Sequence, residues 1–352
     1  MSSVVSFRPA HAIAPRPDRC GTLVRVFAEH RRHGDDVFWL KENAELLNIL
    51  ECTGQPVPLI DLDVHAGFYD GAPAKLQFFP QYYRFLLSLT LDLEALGFGG
   101  DHGEQMVGFA AKVGLHAAEL SDLQRAEARR LFARRGVQTG FDPGLDDRLR
   151  AFAARTATFA LPNKKAAYEL THIVFYLTEY GRKPADLPEP ALRSLHFAGL
   201  TAFLEQNADL LAEICIAMIW AGETPPGLWT AWLESQTAKF SVSGDTEPGP
   251  MDDYHEFLVC NWHAAVTGAP VFRKAMQPGP MRFERADRPA PLTEISRAMM
   301  TLDGPRTADW PGMRQRMAPS LSPETCDLIE AAAQSSEHFD AFFEGFSRAG
   351  RA

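Results

Sequence analysis

The residues best equipped for chemistry fall on one helix face. In "KKAAYELTHIVFYLTEYG", residues 164 to 181, Ala166, Leu170, Ile173, Val174 and Leu177 recur at helical spacing and form an ordinary apolar stripe. The opposite stripe carries Lys165, Tyr168, Glu169, His172, Phe175, Tyr176 and Glu179 at offsets of three, four and seven. Histidine changes charge near neutral pH, which makes His172 the natural general acid or base of the stripe. Glu169, one turn earlier, and Glu179, two turns later, can fix the imidazole tautomer and raise its basicity. Tyr176 can donate a proton or orient a substrate oxygen. Two roles fit such a face: it meets a ligand, or it is half-buried with its polar groups bonded to neighbouring helices.

A second histidine lies in "MDDYHEFLVCNWHAAVTG", residues 251 to 268. Asp252 or Asp253 caps this helix, and His255 shares a stripe with Leu258, Val259, Trp262 and Val266, which points it inward. Asp252 sits one turn before His255, the spacing of an orienting Asp–His pair; the alternative is a core histidine with satisfied hydrogen bonds. Glu256, Cys260 and His263 lie along the other flank, but one helix cannot complete a zinc site and no metal is expected. In "LPNKKAA" Asn163 caps a helix, and Lys164 and Lys165 oppose its dipole in the first turn. This is either an anion site or a pair of solvated lysines. In "FLEQNADLLAEICIAMIWAGE" Gln206, Asn207, Asp209 and Glu213 interrupt an apolar run; Asn207 as N-cap with Asp209 in the first turn is the favoured reading. The arginines of "RAEARRLFARR" read as a solvated face and a favourable helix C-terminus.

Helices must hold these stripes, and helical periodicity dominates the chain. "GDDVFWLKENAELLNILECTG" opens at Asp35 or Asp36 and stops at Gly54, a left-handed cap; "LSDLQRAEARRLFARRG" has Ser121 as N-cap and ends at Gly136. Further helices are expected near 80–97, 103–116, 145–157, 163–180, 190–205, 207–221, 226–239, 252–267, 291–301 and 323–346. "RTATFALP", 155–162, is strand-like. The fold class expected is all-α, about a dozen helices in paired hairpins, forming an α/α toroid or an irregular array, with no sheet of three or more strands. Residues 1–19 read as a flexible lead-in and 20–346 as a single domain. Within it, 268–321, rich in Pro, Gly and Arg, reads as surface loops around one short helix.

Composition removes whole classes of function. A net charge of −10 over 352 residues argues against a nucleic-acid binder. Five dispersed cysteines read as free thiols in a reducing compartment, and the most apolar run, 210–222, is too short for a bilayer and contains Glu213. A cytoplasmic protein without membrane contact is expected. There is no GxGxxG after a strand, no Walker A, no GxSxG and no HExxH.

At "DDVFWLKENAELLNILECTG", "FFPQYYRFLLSLTLDLEALG", "LPNKKAAYELTHIVFYLTEYG" and "DDYHEFLVCNW" the chain resembles a family of uncharacterised alphaproteobacterial proteins, over residues 20 to 270. The resemblance implies a cytoplasmic bacterial protein and brings no established activity. The phrase "LTHxxFYxTEYG" also resembles a motif in other uncharacterised bacterial proteins, some associated with peptide-modification or natural-product pathways, which implies enzyme chemistry. The expected function is a small-ligand-binding protein or enzyme with one central pocket. There His172, Tyr176, Glu179 and Glu169 meet His255 with Asp252, and a small molecule or peptide is the ligand. The alternative is a non-catalytic interaction or regulatory protein that uses an exposed aromatic helix face. Neither cofactor nor oligomeric state is indicated by the sequence.

Overall fold

The computed structural model describes residues 18–349 apart from 35, 139, 245–251 and 287–288, so most of the expected lead-in lies outside the described residues. Helix accounts for 67% of the described residues. The N-terminal part holds α1 (Arg19–Glu29), α2 (Val37–Cys52), the short α3 (Leu59–Leu62), α4 (Ala66–Phe78), α5 (Tyr83–Ala95) and α6 (His102–Lys112). Next come α7 (Asp122–Ala133), α8 (Leu145–Ala153), the four-residue α9 (Thr156–Phe159), α10 (Lys164–Leu177), α11 (Glu189–Glu205), α12 (Ala208–Trp220) and α13 (Gly227–Lys239). The chain closes with strand β1 (Phe240–Gly244), α14 (Tyr254–Val266), β2 (Met281–Arg285), α15 (Pro291–Met300), α16 (Trp310–Met317), α17 (Pro323–Ser335) and α18 (Phe339–Phe346).

The caps act as their residue types dictate. Asp36 accepts from Phe38 N, Asn163 from Ala166 N and Asn207 from Leu210 N, while Ser121 and Gln124 form a reciprocal capping box. Helix α12 occupies the centre, against α10, α11, α13 and α14. It is apolar around nearly its whole circumference, as a helix enclosed on all sides must be, and residues 210 to 218 are buried without exception. The apolar core built around it runs without interruption from Cys20 to Phe346. Among the described residues, no helix is long and apolar enough to cross a membrane.

Sheet is confined, among the described residues, to one antiparallel pair in which Phe240 faces Arg285 and Gly244 faces Met281. A buried arginine ties it to the N-terminal helices. Arg31 donates to Glu42 at 2.7 Å and to both oxygens of Asp252 at 2.8 Å, with its guanidinium over the rings of Phe27, Tyr254 and Phe283.

Local expectations differ from the structure in three places. "RTATFALP" is a helical turn and not a strand: Thr156 bonds Pro190 O, and Phe159 and Ala160 are buried. The 268–321 region holds a strand and a second helix, α16, which Asp309 caps through Gly312 N with a proline in its first turn. The helix expected over 323–346 breaks at Ser336, whose backbone is extended and whose hydroxyl lies 3.2 Å from His196 Nδ1.

Candidate functional site

His172 stands in the middle of α10, and its Nδ1 is 2.8 Å from the carbonyl oxygen of Tyr168. A carbonyl can only accept, so Nδ1 carries the hydrogen. In the neutral ring the lone pair is therefore on Nε2, for which the described residues provide no partner. Glu213 Oε2 lies 3.6 Å from Nδ1 on the other side. Thr171 bridges the two helices, its Oγ1 being 2.6 Å from Glu213 Oε2 and 2.9 Å from Tyr168 O.

One turn before Glu213 on α12 stands Asp209, where the sequence brings a carboxylate to the positive end of the helix. Both of its oxygens are taken: Tyr168 donates its hydroxyl to Oδ2 at 2.5 Å, and His255 of α14 donates Nδ1–H to Oδ1 at 2.8 Å. On the far side of the His255 ring, Nε2 faces Glu45 Oε1 of α2 at 3.7 Å, and Tyr254 donates to Glu45 Oε2 at 3.2 Å. Four helices thus contribute to one polar cluster, and the two imidazoles are each 36% exposed.

Environment separates the charge states. Burial opposes charge on His255, but the hydrogen bond and charge of Asp209, with Glu45 and Glu213 beyond, outweigh it and lift the imidazole to about 10. Burial likewise works against an ionised Asp209, yet the bond and charge of His255, the Tyr168 hydroxyl and nearby His172 hold it below the usual carboxylate range. Glu213, only 4% exposed, is pushed up by burial. At neutral pH the cluster therefore holds a His255–Asp209 ion pair, and beside it stands His172, whose Nε2 has no hydrogen-bond partner among the described residues.

The structure brings His172 and His255 into one cluster, and of the companions expected for them Tyr176 meets the His172 ring edge-on at 6.0 Å, whereas Asp252 and Glu179 turn elsewhere. Asp252 does not orient His255. It is committed to Arg31 and to Phe283 N at 3.1 Å, and Asp209, from another helix, takes the orienting place. Tyr176 is buried beside Tyr180, whose ring stacks with Phe175 and Trp262 and lies under the Arg130 guanidinium. Glu179 turns toward Arg130 at 3.4 Å and Lys183 at 3.5 Å. Glu169 is half-buried with no bond among the described residues. At the start of α10, Asn163 spends its oxygen on the cap, Lys164 pairs with Glu205 at 2.8 Å and Lys165 is exposed.

Asp209 and Glu213 had a visible signal, two carboxylates one turn apart in the most apolar helix of the chain. Glu45 had none, because it reads as an ordinary surface residue of α2. Among the described residues, no group of three or more His, Cys, Asp or Glu side chains is placed to hold a metal ion.

A family model described as "Domain of unknown function (DUF6902)" matches residues 1–349, so the likeness extends beyond the 20–270 expected. Neither the curated proteins nor the solved structures yield a match.

Proposed function

Since the chain belongs to this family, whose description carries no activity, we propose from the cluster's chemistry that it is an enzyme of general acid–base type acting on a small polar ligand. His172 is the base: Nε2 takes a proton from an acidic C–H or O–H of the ligand. The His255 imidazolium is the electrostatic partner that holds the negative charge left behind, steadied by Asp209. A pKa near 10 makes His255 a poor proton shuttle at neutral pH and a good fixed cation. The observation that carries this reading is that two histidines from different helices stand beside one carboxylate pair on the central helix, His172 at 3.6 Å from Glu213 and His255 at 2.8 Å from Asp209. A small molecule or peptide bearing a carbonyl or carboxylate fits such a pair, and the net charge of −10 favours it over nucleic acid.

A closed toroid is not required by this reading, since every residue comes from helices around α12. The alternative, a docking surface made by the aromatic face of α10, has less support because Phe175 and Tyr176 are buried. A bacterial cytoplasm is the proposed setting, supported by five cysteines that are all free thiols.

The test is a thermal-shift panel of small carboxylates and carbonyl acids on wild type, His172→Gln and Asp209→Asn. At least one ligand should raise Tm in wild type and in neither variant. If no member of the panel distinguishes wild type from the variants, the acid–base reading is wrong.

A further inference from the structure

A second cavity, of about 650 Å³, opens between α13 and α14 and is closed by the segment 267–274. None of its lining residues belongs to the His172 cluster. Phe257, Ala231, Ala264 and Pro270 contribute to a largely apolar wall. Two polar groups stand out against it. His263 is 6% exposed, and its Nε2 is buried without a hydrogen-bond partner among the described residues. Arg273 is exposed and has no hydrogen bond or ion pair among the described residues. Burial lowers the His263 imidazole to about 4, so it is neutral and offers one donor and one acceptor. Glu234 is the single acidic residue of the lining, against Arg273 and Lys274.

An imidazole buried in the wall of the cleft with an unpaired nitrogen is costly unless something supplies its partner, and the exposed Arg273 guanidinium at the same cleft adds positive charge. The size is that of a small-molecule site, and the walls suit hydrocarbon. We propose that this cleft binds a single-chain amphipathic carboxylate, its chain along the apolar wall and its head between His263 and Arg273. The inference does not depend on the acid–base reading, because the two sites share no residue.

Dodecanoate is the probe, used below its micellar concentration and measured by calorimetry on the full chain, with dodecanol as the neutral match. Saturable binding of dodecanoate is expected, at least tenfold weaker for dodecanol and for Arg273→Glu and His263→Leu. His172→Gln should leave the affinity unchanged. His263→Leu should also raise Tm, since it removes an unpaired polar group, whereas a structural histidine would lower it. Absence of saturable binding, or binding that survives both Arg273→Glu and His263→Leu, overturns the proposal. If His263→Leu does not fold, Arg273→Glu, at an exposed position, decides.

Discussion

His255 keeps its proton because Asp209 is ionised beside it, and each of the two holds the other's charge in place. Folded His255 titrates at about 10, against 6.5 for an ordinary histidine. Its contribution to stability is therefore complete below about pH 6.5 and is lost as pH rises through 10. Asp209, with its carboxyl depressed, contributes the reverse: its share is present above 3.8 and is lost as pH falls through the lower folded value. Asp209→Asn should bring His255 back toward the ordinary range in an NMR titration and cost about 1–3 kcal/mol in urea unfolding, the penalty of a lost charge-assisted bond. An unmoved His255 titration would remove Asp209 as its orienting partner. Both histidines were legible in the sequence, since each stands out on its own helix. The partner of His255 was not, because helix periodicity reveals neighbours three or four residues away, and Asp209 is 46 residues distant.

Between elements, the Arg31 clip does the most to join distant parts of the chain. It links the residues just past α1 to Glu42 on α2 and to Asp252, which in turn binds Phe283 N of β2. Arg31→Met should cost about 3–5 kcal/mol by urea denaturation, because it strands the buried Asp252 and leaves Glu42 to Arg32 alone. Arg31→Lys should recover only part of this, an ammonium being unable to match the two-pronged bond to Asp252. A loss below about 1 kcal/mol for Arg31→Met would mean that the clip is spectator geometry. Helix ends were readable where a side chain makes the cap, as at Asp36, Ser121, Asn163 and Asn207. They were not readable where tertiary contact sets the conformation, as at the Thr156–Phe159 turn or at Ser336, which leaves the helix and lies beside His196.

At the scale of the molecule, the all-helical class follows from periodicity, whereas the central position of α12 does not. An apolar segment announces that it is buried and leaves open which helices surround it. The acid–base cluster is a product of that arrangement, its parts lying as far apart as Glu45 and Tyr254, 209 residues along the chain. It exists only once those helices have docked, and this couples the folding of the whole chain to the solvent's hydrogen-ion concentration. At pH 8 an unfolded chain has already released the His255 proton, while the folded chain retains it, so refolding must draw about one proton from the buffer on this account. The thiols, which burial also raises, are partly ionised in the unfolded chain at pH 8 and add to the uptake, so the His255 share is the part that depends on Asp209. Refolding heats measured at pH 8 in buffers of different ionisation enthalpy should report this uptake. Asp209→Asn should lower it by about one proton, and equal uptake in wild type and variant would show that the pair is not formed in solution.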